Sequence, residues 1–247
     1  MTPTIVPDPG RVPTGADALA ISNLVKNHGG LRPLRVRRLV VGPGQIVSVR
    51  GFDAIQAEVM IGLATGAILP DEGEVVIFGE PTSILETPER WLASLDRIGL
   101  VSVRTVLVDA LSVAQNIAVP LTLELDPLPE PVRGEVRRLA AEAGIDETSF
   151  DSKAGAVPPP VRARVHLARA LAMKPRLLLL EHASAALAEG DAPVFGTSVS
   201  RVATRRGLSV LALTADPRFA KALGGRKMSW TAASGEVRGA GGWARWF

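Results

Sequence analysis

"RVHLARALAMKPRLLLLE", residues 164–181, holds the end of one element and the whole of the next. A helix over about 161–173, "VRARVHLARALAM", passes through Lys174 and Pro175 into "RLLLL" at 176–180, an apolar run short enough for a strand and too apolar to have a wet face. The core is therefore built around a buried strand. Downstream, a helix near 189–206, the strand "LSVLALT" (208–214) and a helix capped by Asp216 with Pro217 at its first position repeat the alternation. Upstream, "ALAISNLVKN" (18–27) and "RPLRVRRLVVGPGQIVSVRG" (32–51) have the alternation and β-branched content of strands separated by turns. "PDEGEVVIFGE" (70–80) is a turn followed by a strand, Thr87 and Pro88 start a short helix through Asp96, and 98–101 is a further strand. A helix-rich block follows, from "LSVAQNIAVPL" (111–121) to a helix near 131–144. Strands alternating with helices predict an α/β fold with a largely parallel sheet covered on both faces.

Composition narrows the function classes. The chain has 247 residues, 47% of them hydrophobic, enough for one substantial core, and no apolar run approaches a bilayer span. It has no cysteine, which excludes thiolate metal sites and cysteine nucleophiles and fits a cytoplasmic address, and only His28, His166 and His182 as histidines. The pI of 9.8 is not a nucleic-acid signal. With a formal charge of only +3 and no tyrosine, almost nothing titrates between histidine and lysine, so a small excess of arginine carries the value up. No lysine lies between Lys26 and Lys153.

That gap matters at "VRGFDAIQAEVMIGLATG" (49–66), where a strand leads in and a helix leads out. Val59, Met60, Leu63 and Ala64 recur at helical spacing, placing a helix from Ala57 to about Gly66 after a turn at Gly51.

Together, "PGQIVSVRG", "PDEGEVVIFGE", "NIAVPL", "RVHLARALAMKPRLLLLE" and "GLSVLALTADP" resemble, in order and near-family spacing, the framework of the ATP-binding subunit of an ABC transporter. The resemblance covers about residues 18–237. It implies a P-loop NTPase-like ABC ATPase fold: a mostly parallel central sheet with flanking helices, an N-terminal antiparallel β portion and a helical subdomain at about 105–173. Residues 1–17 then form a flexible leader, and 238–247, with Trp243, Trp246 and Phe247, an aromatic tail.

The same resemblance identifies the positions of the family's chemistry, and each has changed. The family's glycine-rich loop ends in Gly-Lys-Ser/Thr, whose amides, lysine and hydroxyl hold phosphates and magnesium. Here the loop is Gly51, Phe52, Asp53, Ala54, Ile55, Gln56, Ala57 and Glu58, with Ala57 in the lysine's place and Glu58 in the hydroxyl's. Bulky residues restrict the backbone, and two carboxylates face a site for a polyanion. Val103 stands for the glutamine that senses magnesium and water, and Val157, Pro158, Pro159, Pro160 and Val161 for the signature Leu-Ser-Gly-Gly-Gln. Three prolines offer no amide hydrogens. Glu181 and His182 stand for the aspartate and the catalytic glutamate, Ala188 for the dimer-loop aspartate and Ala215 for the switch histidine.

The expectation is an inactive, pseudo-ATPase cassette subunit acting as scaffold or regulator of a membrane transport complex, with no metal and no required cofactor. Weak ATP binding stays open through His28, which aligns with the family's adenine-stacking ring, and Arg50 and Arg104 are the nearest substitutes for the missing lysine. The implied partners are a membrane permease subunit, docking near Val103 and residues 105–145, or another cassette subunit, in a possible dimer, with no nucleic acid. The implied location is the inner face of the cell membrane, on the cytoplasmic side. Two alternatives remain: a divergent active ATPase using Glu181, His182 and an arginine, and a soluble cassette protein on nucleic acid or ribosomes.

Overall fold

The computed structural model describes residues 15–84 and 87–239; most of the expected leader, with Trp243, Trp246 and Phe247 of the expected tail, lies outside them. The chain opens with β1 (Leu19–Lys26) and β2 (Leu34–Val41), then β3 (Ile46–Arg50), α1 (Ala54–Ala64), β4 (Glu72–Ile77), β5 (Glu80–Pro81), α2 (Pro88–Leu95) and β6 (Ile98–Ser102). A helical block follows, α3 (Val113–Ala118), α4 (Glu130–Ala143), α5 (Glu147–Phe150) and α6 (Pro159–Leu171). The chain returns through β7 (Leu177–Glu181), α7 (Asp191–Arg206), β8 (Ser209–Leu213), α8 (Pro217–Leu223), β9 (Arg226–Thr231) and β10 (Glu236–Gly239).

The strands form two sheets, an antiparallel one of order β2-β1-β4-β5 and a six-stranded one of order β10-β9-β3-β8-β7-β6. In the second sheet all neighbours are parallel except the β9–β10 pair. Strand β7 lies between β6 and β8, and its four leucines are fully buried. Because successive side chains point to opposite faces, Leu177 and Leu179 pack with α1 and the antiparallel sheet, while Leu178 and Leu180 pack with α4, α6, α7 and α8. The four-leucine run is thus the seam between two cores.

Three expectations shift. Helix α6 begins at Pro159, with Pro159 and Pro160 at its start, because proline has no amide to leave unpaired there. The sequence reading stopped short of the β9–β10 hairpin, which extends the sheet to Gly239, two residues past the expected domain end at 237. Helix α1 begins at Ala54 rather than Ala57, and this changes the site.

Candidate functional site

The phosphate-loop segment is occupied by a helix start. Asp53 caps α1: its Oδ1 accepts from Gln56 N at 2.8 Å, and Gln56 Oε1 accepts from Asp53 N at 3.1 Å. This reciprocal capping box, with Phe52 and Ala57 at the two staple positions of a helix entry, is a complete N-terminal signature. The helix therefore gains a turn over residues that a phosphate loop would leave open. Ala57 falls in that first turn, turned inward and fully buried, so the lysine position of the resemblance lies in the core. Ile55 faces outward, 63% exposed.

Phe52 closes the loop from the sheet side. Its ring stacks on Trp230 of β9 with centroids 4.3 Å apart and planes 7° from parallel, and both rings are buried. Trp230 is held in turn by Nε1–H donating to Arg35 O at 2.7 Å. Gly51 makes the turn possible, because its φ is +109° and a Cβ there would stand 2.4 Å from Trp230 O.

The centre of the site is an ion-pair bridge. Ser102 ends β6 opposite Glu181, the last residue of β7. A turn follows, in which Thr105 N donates to Ser102 O and Arg104 N to Ser102 Oγ, and it carries Arg104 over the end of β7. There the Arg104 guanidinium donates to both oxygens of Glu181, Nε at 2.8 Å and Nη2 at 2.9 Å, while Nη1 stands 2.5 Å from Glu58 Oε1 on α1. Glu181 is only 3% exposed, so the bidentate pair is what compensates its charge. The Glu181 hydrogen bond, outweighing desolvation, holds the Arg104 guanidinium protonated more firmly than usual. One cation thus joins α1, the segment after β6, and β7.

The other sequence candidates are scattered around this bridge. Val103 takes no part in it and is 49% exposed. His182 has a left-handed backbone, φ 43°, with its N–H donating to Leu213 O at 2.9 Å, and its shielded Nε2 has no partner among the described residues. No hydrogen bond connects it to Glu181. Val157 is buried ahead of α6, Pro158 and Pro159 are exposed, and Pro160 and Val161 are half-buried in its first turn. Ala188 and Ala215 are exposed. His28 folds onto its own turn, with Nδ1 accepting from Gly30 N at 3.2 Å. Arg50 ends β3, half-buried. Among the described residues no cluster of three or more His, Cys, Asp or Glu side chains is placed to hold a metal ion.

Beyond Arg104 the chain is tied to the helical block. Arg169 of α6 donates to Thr105 O at 2.8 Å and Val106 O at 2.9 Å, and Asn116 of α3 accepts from Val108 N at 2.8 Å and donates to Val108 O at 3.0 Å. The backbone is held inward at both ends, so Val106 and Val108 present their side chains outward, 76% and 48% exposed. His166 stands against this strap, its Nδ1 3.2 Å from Thr105 Oγ1. Burial, with the charges of Arg169 and Arg162, pushes its pKa down to about 4 from 6.5.

The neutral ring is therefore the form the fold accepts. Below about pH 6.5 the unfolded chain takes up this proton first, so stability present above that pH is lost progressively down to about pH 4. The expected loss, discounted for partial exposure, is on the order of 2 kcal/mol. Urea titrations across that window should show a steeper acid decline for the wild type than for His166→Gln; parallel curves would remove His166 as the cause.

Neither the bridge nor the aromatic lock was found in the sequence, though each left a trace. The trace of the bridge is charge balance: carboxylates at 58 and 181 need a cation, and Arg104 follows the strand that pairs with the second. The trace of the lock is the phenylalanine in a turn where glycine is expected.

Comparison with known proteins gives the chain its family. No family model matches the chain. The aliphatic sulfonates import ATP-binding protein SsuB 2 of Agrobacterium fabrum is 32% identical over 212 residues, 86% of this chain and 75% of that protein. The ribose import ATP-binding protein RbsA 1 of Mesorhizobium japonicum is 31% identical over 189 residues, 71% of this chain and 34% of that protein. The sulfate/thiosulfate import ATP-binding protein CysA of Gloeobacter violaceus is 30% identical over 174 residues, 69% of this chain and 47% of that protein. The chain therefore spans about a third to a half of the length of several curated relatives. In fold, a bacterial ABC transporter cassette solved as a dimer superposes with a TM-score of 0.74 at 23% identity, over 89% of this chain and 96% of that one. The cbiO1 protein of Clostridium perfringens, part of an ABC transporter complex, gives 0.74 at 19% identity over 90% and 87%. With a relative 32% identical over three quarters of its length, the chain belongs to the family of ABC transporter ATP-binding subunits.

Proposed function

We propose that this chain is a non-hydrolysing ATP-binding-cassette subunit that serves as scaffold or regulator in a membrane import complex. The observation that carries the reading is Arg104 bonded at once to Glu58 and Glu181. By the resemblance, these are the positions whose hydroxyl and aspartate would hold magnesium, and a guanidinium already satisfies both. The residues present do not fit magnesium-ATP. The first-turn amide of Gln56 is taken by Asp53, Ala57 stands in the lysine's place by the resemblance, and Phe52 packs into the turn against Trp230. Carboxylates at 53 and 58 oppose a polyanion further.

What the fold keeps is a rigid surface. The strap from Ser102 to Val108 presents Val103, Val106 and Val108 beside the helical block, a place for a permease segment to dock. The import class comes from the names of the relatives. Among the described residues no helix is long and apolar enough to cross a membrane.

The test is phosphate release from magnesium-ATP by the purified chain and by Ala57→Lys. Both are expected to stay at the level of a protein-free blank. The substitution is expected to lower stability by about 1–3 kcal/mol, because a long charged side chain enters a filled core position. Magnesium-dependent hydrolysis by the wild type that Glu181→Gln abolishes would establish a divergent active ATPase instead.

A further inference from the structure

Between the strap that follows β6 and the start of α6 lies a cavity of about 270 Å³. Its inner walls are core, since Val101, Leu107, Ala163 and Ala183 line it and all four are buried. Its mouth is made by the exposed residues Val103, Val106 and Ala186. The polar side chains in the lining are those of Ser102, Arg162 and His166, and among the described residues no carboxylate belongs to it. Two of these polar groups are already committed. Arg162 Nη1 donates to Asp109 Oδ1 at 2.8 Å and to Ala154 O at 2.5 Å, so its charge is matched by a carboxylate outside the lining. Ser102 Oγ accepts from Arg104 N at 3.1 Å.

His166 is different, and its neighbours fix how. Thr105 Oγ1 donates its one proton to Ser102 O at 2.6 Å, so toward His166 Nδ1, 3.2 Å away, the hydroxyl oxygen acts as acceptor. Arg169 Nη2 stands farther from Nδ1, at 3.4 Å, and is spent on Thr105 O at 2.8 Å. Nδ1 therefore carries the ring proton and donates to Thr105. The ring is neutral at physiological pH, its pKa lying near 4, so Nε2 keeps a lone pair. No hydrogen bond among the described residues uses that lone pair. With Nδ1 held on the strap, the Nε2 edge is what the ring has left for the cavity. An apolar cavity with one uncommitted acceptor and no free charge specifies its ligand: uncharged, largely apolar, and carrying a hydrogen-bond donor. A charged molecule would lose its hydration there with nothing to pair it. The volume exceeds the roughly 150 Å³ that suffices for benzene and falls just short of the 300–1,000 Å³ usual for drug-sized ligands, so the size is that of one ring or its aliphatic equivalent.

We propose that the cavity under the strap binds a small uncharged molecule of the alcohol or phenol class, whose hydroxyl donates to His166 Nε2 while its apolar body fills the space against Val101, Leu107 and Ala183. The site goes beyond the scaffold reading and does not rest on it, so either outcome of the phosphate-release test leaves it standing. Phenol is the probe, titrated into the full chain at neutral pH and followed by the ring-nitrogen NMR signals of the histidines, with His166→Gln identifying those of His166. Binding is expected to saturate below about 5 mM, and to move the Nε2 signal as an acceptor nitrogen that gains a hydrogen bond, with Nδ1 staying protonated. Toluene, which keeps the ring and lacks the hydroxyl, is expected to bind at least about fivefold more weakly, and benzoate at least about tenfold more weakly. Ala186→Phe fills the mouth from an exposed position and should abolish binding. Ala185→Phe, equally exposed but outside the lining, should change it less than about twofold. Saturable, hydroxyl-dependent binding lost only in Ala186→Phe upholds the site. No saturation, toluene or benzoate binding as tightly as phenol, a ring proton on Nε2, or equal effects of the two alanine variants would overturn it.

Discussion

Replacing Phe52 by alanine is expected to destabilise the protein by about 3–5 kcal/mol. Its ring is 4% exposed and lies flat on Trp230, which is 5% exposed, so truncation opens a void between the start of α1 and strand β9. The void cannot close easily. The Trp230 indole is fixed by its bond to Arg35 O, and Gly51 already sits against the Trp230 carbonyl, so neither wall is free to move in. Loss of the stacked pair adds to loss of burial. Urea unfolding measures the deficit, and the emission of Trp230 should shift to the red in the native state as water reaches the indole. A loss below about 1 kcal/mol would mean that the capping box alone holds this turn.

Arg104→Ala is expected to cost about 2–4 kcal/mol for a different reason. The arginine is itself half exposed, but it leaves behind Glu181 at the end of the central strand, 3% exposed and, among the described residues, bonded on both oxygens only by that guanidinium. The penalty is that of an orphaned buried charge rather than of a lost surface ion pair. Two consequences distinguish it from simple loss of packing. A carboxylate left alone in the interior is relieved by protonation, so the deficit should be smaller near pH 5 than at neutral pH. Removing both partners, as in Arg104→Met with Glu181→Leu, should recover at least half of the loss, because no unpaired buried charge remains. A double variant no more stable than Arg104→Ala would mean that the bridge is not what secures the end of β7.

Most of the architecture could be read before any coordinates because it depends on neighbours in the chain. The four leucines after Arg176 needed no partner to declare themselves a strand buried on both faces. Asp216 followed by Pro217, and Thr87 followed by Pro88, marked helix starts that the structure places at those residues. The same kind of signal is present at Asp53 and Gln56, where the resemblance implies a phosphate loop but the local chemistry spells a helix entry. The β9–β10 hairpin was missed for the opposite reason: "RKMSWT" and "EVRG" are short and polar, and they become strands only because β3 offers an edge to pair with.

The sequence by itself determined the cassette fold, since that is the pattern of residues along a framework, and the resemblance implied that residues such as Ala57, Glu58 and Val103 stand where the family has its chemical groups. Only the tertiary structure decided what the replacements do. Residues 58, 104 and 181 are far apart in the chain, and nothing in their spacing says that one guanidinium meets both carboxylates; the parallel register of Ser102 with Glu181 brings them together. Phe52 and Trp230 likewise meet only because β9 pairs with β3, and Arg97 and Arg176 share the Phe78 ring only because β6 and β7 start side by side. Local signals are encoded within a few residues, whereas charge pairing and stacking depend on distances that only the completed sheet sets.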